Sequence, residues 1–261
     1  MPSRAADYGD IAPIFDQRYE ADALEGVAQA LVELAGALEA RSILEVGCGT
    51  GRWLAEFASG ARAPFGLDYS SPMLKEGRRR DRSFRLMRGR ASQLPLRSAS
   101  FDLVFCVNAI HQFEWQRDFV REARRLLRPG GALAVVGMDP RSPRHIWYIH
   151  DYFETTLMSD LERFPTLADL TDWAEEANFS SVERTELEPI QDRRVGREVL
   201  DALFLRKDSC SQLANLSQMA YQDGLRRIES ALAAAEEAGQ EISFVTDLRL
   251  EMVVCRVGKE D

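Results

Sequence analysis

Short apolar runs alternate with helical patterns through the first half of the chain. Ser42–Val46, Ala63–Asp68, Phe84–Gly89, Phe101–Val107 and Ala132–Met138 read as five strands. Between and before them the apolar period lengthens. Leu24, Val27, Leu31, Leu34 and Leu38 predict a helix over 22–40. Residues 52–59 and 116–127 read as helical too, the second stopped by Pro129-Gly130-Gly131. Ser71-Pro72 reads as a helix start, because the fixed φ of proline suits the first helical position. The strands are continuously apolar, so both sheet faces must be covered. Strands in regular alternation with helices predict a parallel, doubly wound α/β sheet.

The pattern changes after Met138. Thr166–Ala177 predicts a helix capped by Thr166, and Ser180–Leu187 a sixth strand. A helical block follows over roughly 196–238, with Leu225, Ile228 and Leu232 on one face and Gly239 as its stop. Phe244–Val257 is a seventh strand. Strand, long helical insertion, strand predicts two antiparallel neighbours at one sheet edge. The expected architecture is a single domain over 1–261, with a mostly parallel seven-stranded sheet. Segments 139–165 and 189–241 are then helical lids.

Composition narrows the function classes. The 261 residues carry 33 basic and 42 acidic side chains, a net charge of −9, and 45% are hydrophobic. An acidic chain argues against a broad nucleic-acid surface, which needs clustered Lys and Arg. Arg78–Arg82 is basic but short, at a helix end where arginine matches the helix dipole. The four cysteines, Cys48, Cys106, Cys210 and Cys255, form no C-x-x-C pair. They predict no metal site and a reducing, cytoplasmic setting. The N-terminal stretch lacks the apolar core of a signal peptide, and no apolar run reaches the roughly 20 residues that span a bilayer.

The chemistry starts at ILEVGCGTGR, Ile43–Arg52. Gly47, Gly49 and Gly51 alternate directly after a strand, where a sharp turn lets a ligand touch the backbone. The dinucleotide fingerprint G-x-G-x-x-G is not met, because Arg52 stands in the sixth place. Glu45 would repel a pyrophosphate but suits a ligand with an ammonium group. Asp68, ending the second strand, suits ribose hydroxyls through charge-assisted hydrogen bonds. A ribose and an α-amino acid in one ligand point to S-adenosylmethionine.

These residues resemble the class I S-adenosylmethionine-dependent methyltransferases, and among them the small-molecule type 11 group that includes the ubiquinone and menaquinone C-methyltransferases. The resemblance runs from about Tyr8 to Met138. It is carried by ILEVGCGTG, GLDYSSPML (Gly66–Leu74), ASQLPLRSASFDLVFCVNAIHQF (Ala91–Phe113) and LLRPGGAL (Leu126–Leu133). It implies a Rossmann-like methyltransferase fold and a transferase with S-adenosyl-L-methionine as cofactor and S-adenosyl-L-homocysteine as product. Glu45 and the backbone of Gly47, Gly49 and Gly51 would hold the methionine end, and Asp68 the ribose. Tyr69 and Met73 would flank the adenine, Ala91 and Ser92 line its edge, and Asn108 touch the cofactor near the methyl group. The segment over 1–21 resembles the family's cofactor-covering N-terminal element, with Tyr8 and Arg18 as its candidates. One departure stands out: Arg90 occupies a place after the third strand where the family often has an acid.

Methyl transfer asks the protein mainly to align the reactants. A base is needed only if the acceptor must lose a proton, and His111, beyond the fourth strand, is the catalytic candidate. Arg144–Phe153 concentrates His145, Trp147, Tyr148, His150, Tyr152 and Phe153. That stretch reads either as an aromatic acceptor pocket or as a lid helix packing on the sheet. Phe113, Trp147, Tyr148 and Tyr152 are the candidate acceptor contacts. The expected activity is methylation of a small, apolar or aromatic metabolite by a monomer or homodimer without nucleic-acid or membrane partners. A protein that binds the cofactor without transferring methyl is the alternative. A nicotinamide oxidoreductase is disfavoured by Glu45 and Arg52.

Overall fold

The computed structural model describes residues 11–19, 23–58 and 64–259, and excludes the side chains of Ile14 and Arg18. In chain order its elements are α1 (Glu25–Ala37), β1 (Ile43–Val46), β2 (Phe65–Asp68), α2 (Ser71–Arg80), β3 (Arg85–Arg88), β4 (Phe101–Val107), α3 (Gln116–Leu126) and β5 (Leu127–Gly137). There follow β6 (Ile146–Trp147), α4 (Tyr148–Tyr152), α5 (Thr156–Arg163), α6 (Leu167–Glu176), β7 (Ser181–Val195), α7 (Ser211–Ala214), α8 (Gln218–Ala238) and β8 (Ser243–Arg256). The sheet runs β3-β2-β1-β4-β5-β8, with β7 on the outer side of β8. The pairs from β3 to β5 are parallel, whereas β8 is antiparallel to both β5 and β7. The sheet counts eight strands rather than seven, because the two-residue β6 joins β8 at Thr246 and Asp247.

Strand alternation sorts the core into two layers. Leu44, Val46, Val104, Cys106, Leu133 and Val135 face α3 and α6, meeting Phe119, Val120, Leu126, Leu170 and Ala174. Ile43, Leu103, Phe105, Ala132 and Ala134 face α1, meeting Val27, Leu31 and Leu34. Each fully buried Val, Leu or Phe contributes about 1.5–3 kcal/mol. A third cluster joins Trp147, Tyr148, Ile149 and Phe153 to Val199, Leu205, Leu213, Ile228, Leu232 and Phe244. It ties both insertions to the first half of β8.

Several boundaries differ from the pattern. Ser70 rather than Ser71 caps α2, its hydroxyl accepting from the Met73 N–H. Residues 52–59 yield one 3-10 turn, Leu54–Phe57, within the described residues. β5 begins at Leu127, so Pro129-Gly130-Gly131 forms an irregular strand start rather than a helix stop. β7 runs on to Val195, paired with β8 on both sides of an irregularity between Glu186 and Pro189, so the segment between them starts at Gly196 and not at 189. That segment is not one helical block. It holds 3-10 turns at Gly196–Asp201 and Leu203–Leu205, then α7, then α8 capped by Ser217. Thr166 caps α6 in a full capping box with Asp169, and Gly239 ends α8 at φ 61°.

Candidate active site

The carboxyl ends of β1, β2, β4 and β5 share one sheet edge. There the chain leaves β1 through a turn tied down by two hydrogen bonds, from the N–H groups of Gly47 and Cys48 to the Leu67 carbonyl (2.7 and 3.0 Å). Gly47 sits at φ 76°, and a Cβ on it would lie 2.6 Å from the Ala109 Cβ. Only glycine lets the exit of β4 come this close. Gly49, at φ 51°, differs: an added Cβ would meet nothing within 4 Å and would fill the space before the turn.

Two acids frame this turn. Glu45 is 1% exposed, and its Oε2 has no partner among the described residues. Burial, then the nearby Asp68 charge, raises its carboxyl well above the usual range; the Leu54 N–H and Arg52 offset this only in part. Asp68 braces the loops instead. Its Oδ2 accepts from the Gly49 N–H (2.8 Å) and its Oδ1 from the Ser70 N–H (2.7 Å). Burial raises Asp68 as well, partly opposed by those bonds.

The chain before α1 closes on the same turn. The Thr50 hydroxyl donates to Asp16 Oδ1 (2.7 Å), Arg80 pairs with the other Asp16 oxygen, and Tyr19 packs edge-on to Trp53 at 5.7 Å. Tyr8 and the Arg18 side chain lie outside the described residues. Tyr69 is 54% exposed, with the Arg88 and Arg90 guanidinium groups 5.3 and 5.4 Å from its ring centre. Arg90 pairs with Glu114. Met73 is 2% exposed in the first turn of α2, Ala91 is buried, and Ser92 is half-buried.

Beyond β4 the edge opens into a cavity of about 250 Å³. Asn108, Ile110, His111, Phe164, Leu170 and Val253 are among its lining residues, with Asp139, Arg141, Arg184 and Glu251 also reaching it. Asn108 takes φ 47° and donates its N–H to the Val136 carbonyl (2.8 Å). His111 stacks on Phe164, ring centres 4.1 Å apart and planes 12° from parallel. Burial, helped by the Arg163 charge, pushes its imidazole down to about 3. It is therefore neutral near pH 7 and a poor proton acceptor, contrary to what its unperturbed pKa suggested.

Behind His111 lies a buried polar cluster. Asp160, 0% exposed, accepts from Arg163 (2.6 Å), from Gln212 at both oxygens (3.0 and 2.9 Å), and pairs with His150 Nε2 (3.1 Å). Ser211 joins Arg163 to His111, its hydroxyl 3.4 Å from the imidazole Nε2. The cluster thus clamps α4, α5 and α7 to the loop after β4. Of the sequence candidates for acceptor contact, none lines the cavity. Trp147, Tyr148 and Tyr152 pack in the third core cluster, and Phe113 packs on Phe119 beside Gly47.

A methyltransferase-domain family model matches residues 44–135, from β1 to β5. A malonyl-[acyl-carrier protein] O-methyltransferase of Enterobacter lignolyticus is 34% identical over 130 residues, 50% of this chain and 51% of that protein. A demethylmenaquinone methyltransferase of Renibacterium salmoninarum is 29% identical over 134 residues, covering 50% and 56%. The chain therefore spans about half the length of these curated relatives. Among solved structures, a methyltransferase candidate from an antibiotic biosynthesis pathway of Anabaena variabilis superposes with TM-score 0.65 at 21% identity, over 88% of this chain and 96% of that one. That likeness shows the fold. Over β1 to β5 the chain is thus similar to S-adenosylmethionine-dependent methyltransferases.

The sheet edge around the glycine turn fits S-adenosylmethionine on two observations. The orphaned, buried Glu45 oxygen calls for a donor, and an ammonium is one. The Gly49 surface, where a Cβ would stand free, leaves room for a ligand against the backbone. The cavity residues Arg184, Glu251 and Phe164, and Asp160 in the cluster behind them, carry no motif in the sequence. Only the i,i+3 spacing of Asp160 and Arg163 hinted at a pair.

Proposed function

We propose that the protein transfers a methyl group from S-adenosylmethionine to a small, apolar or aromatic acceptor. The observation that carries this reading is the juxtaposition of a buried Glu45 whose Oε2 has no partner among the described residues with a glycine turn braced by Asp68. Glu45 and the Gly47–Gly51 backbone would hold the amino-acid end. Asp68 keeps lone-pair capacity for a ribose hydroxyl, since the N–H groups of Gly49, Ser70 and Tyr69 do not use up all four lone pairs of its carboxylate. Tyr69, Met73, Ala91 and Ser92 would surround the adenine, and Asn108 would stand between cofactor and acceptor. The sulfonium supplies an electrophilic methyl and a good leaving group. The chain's part is alignment and exclusion of water. His111 serves as a neutral wall, so the acceptor atom must be nucleophilic without help from this imidazole.

Among the described residues no helix is long and apolar enough to cross a membrane, and the four cysteines are free and buried. A cytoplasmic setting belongs to the same proposal. Calorimetry with S-adenosylhomocysteine and with NADH tests it, on the wild type and on Asp68→Ala. Saturable binding of the thioether alone, weakened at least tenfold in the variant, is expected. Absence of thioether binding by folded wild-type protein would sink the reading.

A further inference from the structure

The cavity beyond β4 has a definite charge balance. Four ionisable side chains reach it besides His111, and they are paired two by two. Arg141 Nη1 lies 3.1 Å from Asp139 Oδ1 and also donates to the Phe164 carbonyl (3.0 Å). Arg184 pairs with Glu251. A charged ligand would have to break one of these pairs or stand beside it uncompensated, while an uncharged one would leave both intact. The rest of the lining sets apolar side chains, Ile110, Val135, Leu170 and Val253, and the stacked His111 and Phe164 beside the uncharged polar Asn108 and Ser142.

Size adds a second limit. An apolar cavity of about 150 Å³ takes up benzene, so about 250 Å³ suits one ring or two fused rings. The wall is also fixed in place. Phe164 follows directly on Arg163, and His111 faces Ser211, so both wall residues are held by the buried Asp160 cluster. Finally, the cavity adjoins the glycine turn. Asn108 lines it, and the next residue, Ala109, is the one that a Cβ on Gly47 would strike.

We propose that this cavity is the acceptor site and that it selects a compact, uncharged aromatic ring system of one or two fused rings. The paired arginines and carboxylates act as a charge filter. The inference rests on the methyl-transfer reading above and goes further by naming the acceptor class.

Calorimetry on the full chain saturated with S-adenosylhomocysteine tests it, with three probes of similar size: 3-ethylindole, indole-3-acetate and tryptamine. The uncharged 3-ethylindole is expected to bind, and both ions at least tenfold more weakly. Two variants then tune the filter. Arg184→Gln leaves Glu251 unanswered and should raise tryptamine affinity at least fivefold over wild type. Glu251→Gln frees Arg184 and should do the same for indole-3-acetate. Homocysteine-thioether affinity should stay within twofold in both variants, which separates this site from the cofactor's. Thioether binding without any 3-ethylindole binding would overturn the acceptor site while leaving the methyl-transfer reading standing. Equal binding of all three probes, or variants that leave the ion preference unchanged, would overturn the charge filter. Loss of thioether binding in the wild type would overturn both readings.

Discussion

Glu45, under the glycine turn, and Asp160, between the insertions, are both at most 1% exposed. Asp160 is answered from within the chain by Arg163, Gln212 and His150. Glu45 keeps one oxygen without a partner, and a second acid, Asp68, raises its carboxyl further. The difference separates a carboxyl that organises the protein from one left short of a partner. A buried carboxylate with several donors fixes the helices around it. A buried carboxylate left short of donors is costly in the free protein, and a bound cation would relieve it.

The largest expected effect comes from breaking the answered charge. Asp160→Ala strands Arg163 in the interior and should destabilise the fold by about 3–5 kcal/mol, read by urea unfolding. Replacing Asp160 and Arg163 together with Leu and Met should recover most of that loss. If the double variant is as unstable as the single one, the cluster is not held by charge pairing. At the turn, Gly47→Ala should cost about 2–4 kcal/mol, from the left-handed backbone and the clash with Ala109. Gly49→Ala meets no atom, so it should cost only about 1–2 kcal/mol while weakening S-adenosylhomocysteine at least tenfold.

The pH dependence of stability should carry opposite signs in the two regions. Around the Asp160 cluster, burial lowers His111 to about 3 and His145 to about 4 from 6.5. The unfolded chain then binds more protons, so stability falls as pH drops below about 6.5 towards those values. The slope is at most about 1.4 kcal/mol per pH unit for each group. His111→Phe should keep the stack on Phe164 and remove its share of that acid loss. In the cofactor half, Glu45 is raised above 4.5 and Asp68 above 3.8. The folded state then holds more protons, so stability declines as pH rises from about 4 through the raised values. Glu45→Gln should flatten that decline and should weaken S-adenosylhomocysteine. Thermal melts from pH 4 to 8 on the two variants would reveal both signs. A steeper decline in Glu45→Gln would contradict the assignment.

The legible part of this protein lies in local pattern. β4 coincides with its apolar run, Phe101–Val107, and the glycine turn, Asp68 and the Thr166 cap are where their motifs predicted. Such features depend on neighbours in the chain: alternation decides a strand, and a cap or a turn is settled within a few residues. The insertion after β7 was less legible. Its apolar residues suit helix and 3-10 turn alike, and packing against β8 decided between them.

The acceptor cavity required the tertiary structure. Arg184 and Glu251 come from β7 and β8, antiparallel strands far apart in sequence, and they reach Asn108 and His111 only through the sheet order β4-β5-β8-β7. His111 shows the same limit from another side. The residue and its position after β4 were readable, but its proton affinity was set by Arg163, Phe164 and burial. Sequence by itself determined the parallel sheet, the glycine turn and the two acids beside it, because each is a short-range pattern. Tertiary structure decided which charges are answered, how large the second cavity is and what it admits, because those depend on residues that only folding brings together.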